Sequence, residues 1–179
     1  LTLLNGIGPK KAAILVSKMG GVDAVFDTSL KTIHHESGIR MDLLKSMNRK
    51  KALEEGFKHC EFIDKHGIQT HFFTDTNYPR RLRQCADAPL LLYSKGQFDP
   101  NPSRSIAIVG TRSASDYGRI LCEELITHFE GTNIQVISGM AYGIDIIAHQ
   151  ACVRNQIETL GVLGHGLDRI YPSNHRSTA

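Results

Sequence analysis

Three short apolar runs, each closing on a glycine-bearing polar loop, constrain this chain more than any other feature. Ser105-Ile-Ala-Ile-Val-Gly110 opens into Thr111-Arg-Ser-Ala-Ser-Asp-Tyr-Gly118, and Ile134-Gln-Val-Ile-Ser138 opens into Gly139-Met-Ala-Tyr-Gly-Ile-Asp145. Thr159-Leu-Gly-Val-Leu163 opens into Gly164-His-Gly-Leu-Asp168, then Tyr171-Pro172. Runs rich in Val, Ile and Leu, spaced by helix-length segments, read as buried parallel strands with crossover helices. In such a sheet the loops after the strands emerge at one edge, where α/β sheets bind ligands. The expected fold class is therefore α/β, a Rossmann-like parallel sheet, with strands near 68–73, 90–94, 105–110, 134–138 and 158–164.

The loops suit an anion. Glycine lets backbone N–H groups approach a ligand without an intervening Cβ. A helix starting after each loop adds unpaired N–H donors and a partial positive charge at its N-terminus. Ser113 and Ser115 are candidate N-caps for a helix over about 116–129, and Arg112 supplies a cation able to grip a phosphate bidentately. The candidate contacts are Gly110, Thr111, Arg112, Ser113, Ser115, Tyr117 and Gly118 in the first loop. Ser138, Gly139, Ala141, Tyr142 and Gly143 follow in the second, and Gly164 in the third.

Ordinary nucleotide cofactors are excluded by what the motifs lack. Gly110 is followed by Thr111 and Arg112 rather than by the spacing of a dinucleotide loop, and the second strand ends in Ser138 where an acid would meet a ribose. No P-loop occurs, and Gly161, Gly164 and Gly166 have the wrong spacing and follow the third strand. Asp145 and His149, four apart on a helix, are either an acid–base or metal pair or an orienting hydrogen bond at a helix start. The absence of a third ligand or nucleophile favours the second, so no catalytic, metal-ligating or cofactor residue is assigned. Tyr117 either stacks on a base or packs into the core. Arg80, Arg81 and Arg83 form a basic turn that either extends a nucleic-acid path or only solvates the surface.

Ile108-Val-Gly-Thr-Arg-Ser-Ala-Ser-Asp-Tyr-Gly118, Ser138-Gly-Met-Ala-Tyr-Gly-Ile-Asp-Ile-Ile-Ala-His149 and Leu163-Gly-His-Gly-Leu-Asp-Arg-Ile-Tyr-Pro172 resemble the DprA (Smf) DNA-processing family. Asn77-Tyr-Pro-Arg-Arg-Leu82, followed by Ala88-Pro-Leu-Leu-Leu-Tyr93 and Gly96, resembles that family's entry into its core, so the likeness covers roughly 68–179. The resemblance implies a Rossmann-like domain that binds single-stranded DNA, protects incoming strands during natural transformation and loads the RecA recombinase. It implies no enzymatic reaction, and a homodimer for the full-length protein. Many relatives carry arginine at the position of Tyr142, where a tyrosine can stack on a base instead. The family's core continues past the position of Ala179, so an N-terminal fragment is expected. The competing reading is a nucleotide or phosphoribosyl hydrolase of a related fold, with Asp145 and His149 as acid and base.

The first third follows a different period. Leu3-Leu-Asn-Gly-Ile-Gly-Pro9 leads into Lys10-Lys-Ala-Ala-Ile-Leu15, which reads as a helix-hairpin-helix with Pro9 at the first helical position. The amides of Gly6–Gly8 are placed to hold a DNA phosphate, with Lys10 and Lys11 beside them. The alternative is a packing module. Further helices are expected at 30–36, 40–47 and 49–66, the last with Ala52, Leu53, Phe57, Cys60 and Ile63 at helical spacing. Strand-like alternation begins at Ile68, dividing the chain into a small helical domain, 1–66, and the α/β domain, 67–179. The net charge of +3 permits a nucleic-acid partner without requiring one. Cys60, Cys85, Cys122 and Cys152 form no paired motif and read as buried, reduced thiols of a cytoplasmic protein. No apolar run approaches membrane-spanning length, no signal peptide is expected, and Asp99-Pro-Asn-Pro-Ser103 is the clearest linker.

Overall fold

In the computed structural model, which describes residues 1–179, glycine and proline punctuate the N-terminal helices. Pro9 opens α1 (Pro9–Met19), where its missing N–H leaves no helical bond unmade, and left-handed Gly20 closes it. Then follow α2 (Val22–Asp27), α3 (Leu30–Ser37), α4 (Met41–Ser46) and α5 (Arg49–His66). Ser29 caps α3 by accepting the Thr32 N–H, and Asn48 caps α5 by accepting the Lys51 N–H. Leu4, Ile7, Leu15, Val25, Ile33, Leu44 and Met47 bury together as one core. Arg49 donates to the Phe26 and Thr28 carbonyls at 3.0 and 2.8 Å, satisfying groups at the end of α2. Burial lowers the pKa of this guanidinium, and the charge of Asp27 works against that shift.

The expected hairpin differs in its first arm. Residues 1–7 form two turns, with the Leu4 N–H donating to Leu1 O and the Ile7 N–H to Leu4 O, rather than a helix. So short a segment closes too few hydrogen bonds to offset helix nucleation, and Leu4 and Ile7 reach the core from the turns instead. On α5 only Ala52 of the expected stripe is buried, while Leu53, Phe57 and Cys60 are exposed.

The strands β1 (Gln69–Phe72) and β2 (Leu91–Ser94) pair antiparallel with each other, Gln69 opposite Ser94 and Phe72 opposite Leu91. They form their own sheet and do not extend the parallel one, contrary to expectation. The segment between them folds back around Tyr78, which is fully buried and donates its hydroxyl to the Pro89 carbonyl at 2.6 Å. Arg83, at the end of the short α6 (Arg80–Arg83), lies over the rings of Phe73 and Tyr78 and donates to the Asp75 carbonyl. A return loop of this kind brings its strands together antiparallel. Arg83 is therefore part of the local packing. Gly67, left-handed, ends α5 where the sequence period changes, but contacts group the hairpin with the helices, in the unit Leu1–Lys95.

The second unit, Gly96–Ala179, alternates strand and helix: β3 (Ser105–Ala107), α7 (Asp116–Thr127), β4 (Gln135–Ser138), α8 (Ile144–Arg154) and β5 (Thr159–Gly161). The sheet order is β3-β4-β5, all parallel, with Ile106 beside Val136 and Ile137 beside Leu160. Ile108 and Val136 share a core with Cys122 and Ile126 of α7 and Ala148, Ala151 and Cys152 of α8. This is the Rossmann-like α/β arrangement. Buried Gln135 donates its side-chain amide to the Asp99 carbonyl at 3.1 Å and to Glu158 Oε1 at 2.8 Å, tying part of the linker to the sheet. Burial raises the thiol pKa of Cys122 and pushes that of Cys152 up to about 11, whereas Cys60 and Cys85 are exposed, correcting the expectation of four buried thiols. No helix is long and apolar enough to cross a membrane.

Candidate nucleic-acid interface

The C-terminal ends of β3, β4 and β5 release the three glycine loops at one edge, as parallel strands must. The first and second loops interlock. Gly143 has φ +80°, and a Cβ there would collide with the Thr111 carbonyl oxygen and the backbone of Arg112. That same carbonyl accepts the Ile144 N–H at 3.1 Å. A Cβ on Gly110 would lie 2.6 Å from Ile144 Cγ1, and one on Gly139 would lie 2.5 Å from Asp145 Oδ2. The glycines expected to admit a ligand's backbone therefore admit the chain itself. Gly164 differs, with open space at its Cβ position.

Several expected contacts are used internally. Ser138 is buried and donates its hydroxyl to the Ile108 carbonyl at 2.6 Å, joining the ends of β3 and β4, so its side chain does not face a ligand. Asp145 Oδ2 accepts the Ala141 N–H at 3.3 Å, folding the second loop back onto the first turn of α8. His149 is buried, with Nε2 2.8 Å from the Gly139 carbonyl and Nδ1 2.7 Å from Thr159 Oγ1. A carbonyl oxygen only accepts, so in the neutral ring Nε2 donates and Nδ1 accepts a hydrogen bond from the Thr159 hydroxyl. Burial lowers the imidazole pKa, while the backbone bonds at Gly139 and Ser138 and the charge of Asp145 act against this. Both side chains spend their hydrogen bonds on loop geometry, which is the orienting role. No group of three or more His, Cys, Asp or Glu is arranged to hold a metal ion.

What remains exposed is specific. Ser115, and not Ser113, caps α7 by accepting the Gly118 N–H at 3.2 Å, while the Ser113 N–H donates to Thr111 Oγ1. Arg112 is exposed, with no ion pair or side-chain hydrogen bond within the chain, directly beside the N-terminus of α8. Tyr117 points to solvent rather than into the core. Tyr142 donates its hydroxyl to Asn174 Oδ1 at 3.3 Å and meets the edge of His175, ring centroids 4.9 Å apart. His175, in the 3-10 turn Ser173–His175, is buried and donates from Nδ1 to the Met140 carbonyl at 2.9 Å. The segment after the third loop thus braces the second loop. Sequence reasoning selected neither Asn174 nor His175; the only available signal was a polar pair just after Tyr171-Pro172.

In the N-terminal unit, Gly8 caps α1 in an extended conformation with nothing at its Cβ position, facing an open hollow lined by Gly8, Pro9, Lys10, Lys11 and Asp87. Lys11 donates to the Gly6 carbonyl at 3.3 Å, and the Cβ position of Gly6, at φ +71°, is filled by Leu43. Charge is unevenly shared. Leu1–Lys95 carries fifteen Lys and Arg against ten acids, whereas Gly96–Ala179 carries six arginines, no lysine and eight acids.

The profile of the DNA recombination-mediator protein A family matches residues 69–179. The chain belongs to that family. It is 38% identical over 102 residues to the DNA processing protein DprA of Streptococcus pneumoniae, covering 57% of this chain and 36% of that one. It is 35% identical over 123 residues to the protein Smf of a Synechocystis species, covering 65% and 31%. The crystal structure of the Streptococcus pneumoniae DprA superposes with a TM-score of 0.70 at 30% identity, covering 97% of this chain and 59% of that one. The chain spans about a third of the length of these curated relatives. The profile begins at the start of β1, so the family match takes in the antiparallel hairpin as well as the α/β unit.

Proposed function

We propose that the chain binds single-stranded DNA in DNA recombination and natural transformation, without catalysing a reaction. The strand lies along the glycine-loop edge of the α/β unit, with its sugar-phosphate backbone against Arg112, the outward-facing parts of Gly110–Ser115 and the open loop at Gly164. The observation carrying this reading is Arg112, an exposed and unengaged cation whose backbone packs between two interlocked loops against Gly143, the residue before α8, in a chain of a recombination-mediator family. Gly8, Lys10 and Lys11 supply a second backbone contact on the more basic N-terminal unit. The protein holds the strand in the cytoplasm for the RecA recombinase and acts in full length as a homodimer. Asp145 and His149, committed to Ala141, Gly139 and Thr159, leave a hydrolase reading without its acid and base.

Filter binding with single-stranded and duplex oligonucleotides at two salt concentrations tests this. Single strands should bind more tightly, with a log–log salt slope of about −0.7 per phosphate neutralised. Arg112→Ala should weaken that binding by on the order of 1–3 kcal/mol, alike for poly-T and mixed sequences, because phosphate contacts carry no base information. Unchanged affinity in the folded variant removes Arg112 from the site.

A further inference from the structure

Five tyrosines occur in the chain. Three lie in or just after the glycine loops in sequence: Tyr117, in the first turn of α7, is 74% exposed, Tyr142, in the second loop, 49%, and Tyr171, just after the third, 71%. Rings so exposed contribute little to a core. Contacts link the three loops in series. Ser115, two residues before Tyr117, follows the Thr111–Arg112 backbone that packs on Gly143, next to Tyr142. Tyr142 in turn touches Asn174 and His175, just beyond Tyr171. In sequence, Arg112 and Arg119 lie on either side of Tyr117, the latter paired with Asp116 at 3.9 Å, and Arg169 and Arg176 lie on either side of Tyr171.

The charge count decides what this row can do. With six arginines against eight acids, the α/β unit has no general attraction for a polyanion. An edge that holds single-stranded DNA under those conditions needs an interaction that does not scale with net charge. Base stacking on aromatic faces is one, and it tolerates any sequence because every base has a π-face. Tyr142 is already ordered for it, with its hydroxyl bound by Asn174, its edge against buried His175, and half of its surface open.

We infer that Tyr117, Tyr142 and Tyr171 form a stacking row for unpaired bases, with Arg112 of the first loop on the phosphates. This rests on the single-strand reading above and adds to it a mode of recognition that needs the bases themselves.

The full 179-residue chain is titrated with an oligo-dT and with an abasic oligonucleotide of equal length, which carries the same phosphates and no bases. Oligo-dT should bind roughly tenfold or more tightly than the abasic strand, the loss expected for removing stacked bases. It should also quench the emission of the tyrosines, the chain having no tryptophan. Tyr171→Leu and Tyr117→Leu should each lower affinity for oligo-dT several-fold and leave affinity for the abasic strand unchanged. The phenylalanine variants should retain the preference. Because both side chains are exposed, these variants stay folded even if Tyr142→Leu loosens the second loop. Equal affinity for the two strands, with Arg112 still required, overturns the stacking row and leaves the backbone reading standing. If neither strand binds, the single-strand reading falls and the stacking row falls with it.

Discussion

Replacing Gly143 with alanine puts the interlocked loops to a direct test. The residue sits at φ +80° and ψ −130°, a region that side-chain-bearing residues avoid, so one methyl group costs on the order of 1–3 kcal/mol in backbone strain alone. The methyl also enters the space of the Thr111 carbonyl, which accepts the Ile144 N–H; losing that bond adds about 1 kcal/mol. The sum, on the order of 2–4 kcal/mol, corresponds to a fall in Tm of roughly 5–15 °C for a chain of this size. Gly164→Ala is the control, because its Cβ position is open; it should stay within about 0.5 kcal/mol of the parent. Thermal and urea unfolding followed by circular dichroism read both variants. A Gly143→Ala protein that melts with the parent would show that the first and second loops do not pack as described. Loss of DNA binding in this variant at unchanged ionic strength, with stability restored by osmolyte, would report damaged loop geometry and not a blocked ligand.

Ser115→Ala removes the hydroxyl that accepts the Gly118 N–H and should cost about 1 kcal/mol in urea unfolding, with no change if the cap is not formed. Because burial holds the His149 pKa below its ordinary 6.5, the unfolded chain takes up a proton that the folded chain resists. That contribution to stability is fully present above about 6.5 and is lost as the pH falls below it, towards the lower folded pKa. His149→Gln, which cannot titrate, should flatten the decline between about pH 7 and pH 5. An identical slope in the variant would place the imidazole in solvent. A charged ring would also turn the Thr159 hydroxyl towards the Val136 carbonyl, 3.1 Å away.

The parallel sheet and its two helices were legible because each strand is an apolar run followed by a glycine loop, and the segments between the runs are of helix length, the first opening on a serine cap. The roles of the glycines were not. A sequence shows that Gly110, Gly139 and Gly143 lack a Cβ, but not whether the space admits a ligand or Ile144, Asp145 and Thr111. Ser138 was misread for the same reason: a serine after a strand looks available until Ile108 is found to accept its proton. The strands at 69–72 and 91–94 were visible as strands, yet their pairing partner depends on the knot around Tyr78 and Arg83, which links residues far apart in sequence. Arg112 is exposed in the first loop, and Tyr117, left open by the sequence between a base and the core, faces solvent. Asn174 and His175 were missed because their meaning comes from a contact some thirty residues back, at Tyr142 and Met140.

The Gln135 anchor sets where this α/β module can be cut and transplanted. By composition Asp99-Pro-Asn-Pro-Ser103 is a spacer, and excising the module at the first strand residue, Ser105, would be the natural choice. Yet one amide hydrogen of buried Gln135 ends on the carbonyl of Asp99, and the other on Glu158. A graft beginning at Ser105 would strand that first hydrogen in a dry interior, at a cost of about 1–3 kcal/mol. A graft beginning at Gly96 would carry its own acceptor. The portable unit therefore begins before its first strand, at a boundary drawn by one glutamine.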